Sequence, residues 1–133
     1  MKISARLRND GTDHEVQVRT GDAAQSLAIS AKGSGGGSSI NGGELLMAAL
    51  ATCYCNDLYR EAQRLGIAIG AVEGEAEAEF IDRGLSASNV TYRAKVRSPE
   101  PADLIEQLLR ETDAVAEVHN TLRARVPVQL VPW

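Results

Sequence analysis

Hydrophobic and polar residues alternate with a period of two at the start of the chain: Ile3, Ala5 and Leu7 fall on one side, Lys2, Ser4, Arg6 and Arg8 on the other. Successive side chains of a strand point to opposite faces, so this period predicts a half-buried β-strand. Asn9-Asp10-Gly11 has the composition of a tight turn. The alternation then resumes with Val16 and Val18 against Glu15, Gln17 and Arg19, which predicts a hairpin. A second turn at Gly21-Asp22 leads to Leu27, Ile29 and Ala31, expected to form a third strand of the same meander. Residues 33–43 are glycine, serine and asparagine with a single isoleucine. They have little apolar surface to bury and are expected to form a mobile loop. The loop lacks the lysine of a phosphate-binding loop, so nucleotide binding is not expected.

From Glu44 to about Leu65 the residues are strong helix formers, with Leu58, Ala62 and Leu65 at helical spacing and Gly66 as the stop. The first half, Leu45 to Ala51, is apolar all round and has to be covered, either by a core or by a subunit interface. Asp57, Arg60, Glu61 and Arg64 are expected to return the second half to solvent. Residues 72–97 alternate again. Glu73, Glu75, Glu77 and Glu79 share one face of the first arm, and Arg93, Lys95 and Arg97 share one face of the second. A turn near Arg83-Gly84-Leu85-Ser86 without a bulge would set Glu77 opposite Arg93, Glu75 opposite Lys95 and Glu73 opposite Arg97, a solvated charge ladder. Pro99 and Pro101 precede a stripe of Leu104, Ile105, Leu108 and Leu109, the mark of an amphipathic second helix. After a short turn around Val115 to Val118, the alternation of Leu122, Ala124, Val126, Val128 and Leu130 predicts a last strand, with Pro127 at an edge.

These elements define an α+β fold: antiparallel sheets of about six strands packed on a central cysteine-bearing helix and a second helix. A chain of 133 residues fits one domain, 1–133, around a single core. No stretch approaches the roughly 20 apolar residues of a membrane span, and the N-terminus lacks the apolar core of a signal peptide, so a cytoplasmic protein is expected. The formal net charge of −4 and the absence of a basic cluster argue against nucleic-acid binding.

Two cysteines, Cys53 and Cys55, are too few for a disulfide framework, so their interest is chemical. A thiol attacks as thiolate, and in apolar surroundings a thiolate needs a cation or helix dipole. Mid-helix, Cys53 gains little from the dipole, so an arginine from elsewhere would have to supply the field. Otherwise Cys53 is a small buried hydrophobe. Cys55 lies about 200° round the helix, which disfavours a disulfide between the two. The spacing of Cys53, Cys55, His14 and His119 matches no common zinc site, and no metal or cofactor is expected. His119, in a polar turn, reads as a surface or capping residue.

The run Asn41-Gly42-Gly43-Glu44-Leu45-Leu46-Met47-Ala48-Ala49-Leu50-Ala51-Thr52-Cys53 resembles the first signature of the OsmC/Ohr-like family. Val118-His119-Asn120-Thr121-Leu122-Arg123 with Val126-Pro127-Val128 resembles the second, and the order of elements matches over nearly the whole chain. The resemblance implies an intertwined homodimer with sites at the interface. It also implies a thiol-dependent peroxidase that reduces organic hydroperoxides in an oxidative stress response. Cys53 falls on the peroxidatic position. The resolving cysteine would fall at Ala116, where it is absent, so an external thiol reductant would resolve the sulfenic acid. The resemblance assigns thiolate stabilisation to Arg8, with Arg19 in reserve, and to Glu44, although Gly43 and Gly42 stand where stricter members carry glutamate and proline. The alternative is a non-catalytic member that binds a small apolar ligand at the dimer interface while Cys53 packs. The role of Cys55 stays open between bystander and late oxidation target.

Overall fold

Turn chemistry and alternation build the first sheet as the sequence predicts. In the computed structural model, which describes residues 1–133, strands β1 (Ile3–Asn9), β2 (His14–Thr20) and β3 (Ala23–Leu27) form an antiparallel meander in the order β1-β2-β3. β3 ends earlier than expected. The Ile29 amide turns back to the Leu27 carbonyl at 2.9 Å, which breaks the ladder, and Ala31 bridges Ser38 instead.

That bridge organises the glycine-rich segment, which is tied rather than loose. Lys32 donates to the Gly37 carbonyl and Ser39 to the Ser30 carbonyl, each at 2.9 Å. The Asn9 side chain clamps Gly37 from both sides, accepting from its amide at 3.1 Å and donating to its carbonyl at 3.3 Å. Gly35, Gly36 and Gly37 have φ of 83°, 73° and 93°, a left-handed run that only glycine adopts without strain. The composition is therefore that of a specific turn.

Helix α1 (Gly42–Leu65) opens on a reciprocal capping box: the Glu44 amide donates to Asn41 Oδ1 at 2.8 Å, and the Asn41 amide donates to Glu44 Oε2 at 2.7 Å. It closes at Gly66, with φ of 69°, where the amides of Gly66 and Ile67 reach back to Gln63 and Ala62. The chain divides into two compact units, Met1–Leu45 and Leu46–Trp133, and the cysteine-bearing part of α1 belongs to the second.

In that second unit β4 (Val72–Glu79) and β5 (Ser88–Val96) form the expected antiparallel hairpin with a different register. Glu75 faces Arg93, Glu73 faces Lys95 and Glu77 faces Thr91, because the connection spans residues 80–87 and an irregularity between Glu77 and Glu79 moves the pairing. A slip of two residues keeps every side chain on its predicted face while changing its partner. Only one charged step keeps an ion pair here, Arg93 donating to Glu75 at 2.6 Å.

Beneath the hairpin lie α1, α2 (Ala102–Val115) and α3 (Glu117–Arg123). Tyr54, Leu58 and Ala62 of α1 meet Leu108 of α2 and Ala116 in the core, and Val72, Tyr92, Ala94 and Val96 of the hairpin close over it. The predicted last strand is absent, so the fold has five strands rather than about six. Ala116 is extended (φ −70°, ψ 103°), and α3 starts immediately after it and consumes Leu122. Residues 126–132 join no strand, and Val128 and Leu130 are fully exposed. Pro127 and Pro132 also remove two ladder donors from the segment. No helix is long and apolar enough to cross a membrane.

Candidate functional site

Two helices and one chain reversal position the thiol. Cys53 stands at the middle of α1, half-buried, one turn from Leu50 and Asp57. Its thiol donates to Asp57 Oδ2 at 3.4 Å. The start of α3 also approaches the sulfur, where Glu117 brings a second carboxylate near it. Ligand atoms of Cys53, Asp57 and Glu117 all lie within 4.8 Å of one another. The positive charge these carboxylates hold is Arg60, whose Nη1 is 2.9 Å from Asp57 and 3.4 Å from Glu117.

Burial pushes the Cys53 thiol above its ordinary value. The Val118 N–H opposes that, while the hydrogen bond to Asp57 and the charges of Asp57 and Glu117 reinforce it. Asp57 is only 4% exposed, and its carboxyl is likewise raised, first by burial and then by Glu117, against the hydrogen bond from Cys53 and the charge of Arg60. A cation beside the sulfur was the requirement read from the sequence. Within this unit the charged groups beside the sulfur are instead the carboxylates of Asp57 and Glu117, and the local field favours the protonated thiol.

The other sequence-derived positions fall in different places. Arg8, on β1, is exposed and pairs with Asp10 at 3.6 Å and Glu15 at 3.7 Å. Arg19, on β2, is also exposed. Glu44 caps α1, nine residues ahead of the cysteine. Ala116 is fully buried and immediately precedes Glu117. Both cysteines are free thiols.

His119 corrects its sequence reading. It is 3% exposed rather than a surface residue, because α3 turns it inward against Tyr54 and Tyr92, with ring centroids 5.8 Å and 4.2 Å away. Neither ring nitrogen finds a hydrogen-bond partner within the chain. Burial and the nearby Arg123 charge lower its pKa, favouring the neutral ring. Beside it lies a largely apolar cleft of about 260 Å³ lined by Leu50, Val90, Tyr92, His119, Leu122 and Arg123. Arg123 is already engaged, donating to Asp113 at 2.6 Å, and the Tyr92 hydroxyl donates to the same carboxylate. Tyr54 donates to the Leu109 carbonyl at 2.7 Å, and its phenol is pushed up to about 12, by burial and then by Asp113.

Asp57 and Glu117 were missed from sequence. The sequence places Asp57 among four charges that return α1 to solvent, yet Asp57 and Glu61 are both buried. The available signal was the spacing: a carboxylate four residues after a cysteine on one helix shares its face.

Comparison with known proteins bears on the whole arrangement. The family model described as OsmC-like protein matches residues 35–131, which contain the cysteine helix, the hairpin and α3. The chain belongs to the OsmC-like family. Its OsmC-like fold recurs in the OsmC-like protein of Mycoplasma pneumoniae (TM-score 0.63, 17% identity, covering 92% of this chain and 86% of that one). It recurs in an organic hydroperoxide resistance protein from Elizabethkingia anophelis (TM-score 0.62, 19% identity, 92% and 89%). It recurs also in an OsmC-like protein of unknown function from Vibrio cholerae (TM-score 0.65, 14% identity, 91% and 93%). No curated protein matches. At these identities the neighbours speak for the OsmC-like fold alone.

Proposed function

We propose that this OsmC-like chain reduces organic hydroperoxides with Cys53 and that an external thiol, not a second cysteine of the chain, restores it. The observation that carries the reading is the setting of Cys53. A partly accessible thiol in the family's helix donates to a buried carboxylate, a group able to take its proton as the sulfur attacks. The name of the Elizabethkingia anophelis neighbour agrees with this class of substrate. Ala116 removes the internal resolving step and leaves the first step intact, so the sulfenic acid waits for a small thiol or dithiol. We place the active form as a homodimer in the cytoplasm. Leu45, Ala48 and Ala49 on the apolar opening of α1 are exposed in the single chain, as are Val128, Leu130 and Trp133 of the tail, an excess of apolar surface that a second copy would cover. Treatment with equimolar cumene hydroperoxide followed by dimedone is expected to place one adduct on Cys53; an unmodified Cys53 would refute the proposal.

One observation favours a second reading, a non-catalytic binder. The cleft beside His119 is apolar, and its about 260 Å³ falls between the roughly 150 Å³ of a benzene-sized cavity and the smallest drug-sized pockets of about 300 Å³. On that reading a compact apolar molecule binds there and Cys53 packs. Saturable binding of cumyl alcohol together with an unreactive Cys53 would select it.

A further inference from the structure

Cys53 and Asp57 stand one turn apart on α1 with sulfur and carboxylate oxygen at 3.4 Å, and Asp57 is nearly sealed from solvent at 4% exposure. Arg60 is spent on carboxylates: it binds Asp57, Glu117 and Glu61. A standing thiolate here would face two carboxylates and lose its hydrogen bond to one of them. A thiol that releases its proton only as it attacks avoids that cost.

We propose that Asp57 is the proton acceptor for Cys53, so that the sulfur reacts as a thiol being deprotonated rather than as a preformed thiolate. The inference rests on the reading of Cys53 as the peroxide-reducing residue. The step balances as follows. The sulfur bonds to the terminal oxygen of the hydroperoxide, the O–O bond breaks, and the thiol proton moves to Asp57. The leaving alkoxide takes that proton and departs as the alcohol. Sulfur has then lost two electrons to the peroxide and carries a hydroxyl as sulfenic acid. Two features fit the assignment. Arg60 fixes the carboxylate with Oδ1, which leaves Oδ2 to the thiol. Glu117, 68% exposed at its side chain, lies beside Asp57 and joins the buried carboxylate to solvent.

The competing role for Asp57 is an inhibitory charge that merely holds the thiol protonated, and the two roles predict opposite signs. Stopped-flow oxidation of the full chain by cumene hydroperoxide, with Asp57→Asn alongside, separates them. As proton acceptor, its loss lowers the oxidation rate at pH 7 by about 100-fold, the lower range for general base catalysis. The remaining rate then climbs tenfold per pH unit with the thiolate fraction. As an inhibitory charge, its loss raises the rate. An Asp57→Asn variant as fast as the parent or faster overturns the inference, while a parent chain that does not react at all overturns the peroxidase reading instead. A measurement on the parent alone guards against a variant that fails to fold: a proton in flight gives a normal solvent deuterium isotope effect on the oxidation step, and an effect of unity overturns the assignment.

Discussion

Glu117, at the start of α3, brings a carboxylate oxygen within 4.8 Å of the Cys53 sulfur, which sets the reversal between α2 and α3 against the middle of the cysteine helix. Ala116, the residue just before Glu117 and fully buried, is therefore part of the segment that lies beside the thiol. A cysteine at that position is small enough for the site and is expected to act as the missing resolving thiol. Oxidation of an Ala116→Cys, Cys55→Ser chain should yield one intrachain disulfide between positions 53 and 116, read by peptide mass mapping. Persistent free thiols after oxidation would contradict the placement.

The charges around the sulfur fix the direction of its titration. Burial, the Asp57 hydrogen bond and the charges of Asp57 and Glu117 outweigh the Val118 N–H, so the folded thiol stays protonated to higher pH than a free cysteine. Iodoacetamide alkylation of Cys53 in a Cys55→Ser chain should show a midpoint above about 8.5, the ordinary cysteine value. Removing one of the like charges with Glu117→Gln should lower it, modestly because Glu117 is exposed. A midpoint below the ordinary value would contradict this electrostatic account.

His119 predicts an acid-side loss of stability. Its folded pKa is depressed by burial and by Arg123, partly offset by Asp113 and Asp57, so the unfolded chain binds the extra proton first. The contribution of the neutral ring is present above the unfolded value of about 6.5 and is lost as pH falls from there toward the depressed folded value. The slope from this one group is at most about 1.4 kcal/mol per pH unit. His119→Phe, which keeps a ring against Tyr54 and Tyr92 and removes both unpartnered nitrogens, is expected to flatten the urea-denaturation profile on the acid side of about pH 6.5. An unchanged slope would place the titrating group elsewhere.

The parts of the fold that read clearly from sequence are those whose signals are local. Asn9-Asp10-Gly11, the helix formers from Glu44 to Leu65, Gly66 as a stop and the stripe through Leu104, Ile105, Leu108 and Leu109 each specify backbone or face within one element, and each holds in the structure. The register of β4 against β5 did not read, because a period of two cannot distinguish pairings that differ by two residues. The tail did not read as it stands, because alternation marks a strand but cannot supply the edge it pairs with. The site divides in the same way. Cys53 was legible from the family signature, whereas Asp57 and Glu117 were not. Burial of a charged residue depends on Arg60 and on the reversal at Ala116, which no single window of sequence contains. His119 was misplaced for the same reason: a polar turn in sequence proved to be the first turn of α3, facing inward.

The most direct test of the peroxidase reading is steady-state consumption of cumene hydroperoxide by the purified chain with a small dithiol as reductant. The account predicts turnover that disappears in Cys53→Ser and persists in Cys55→Ser. Consumption no faster than that of the Cys53→Ser chain would contradict it.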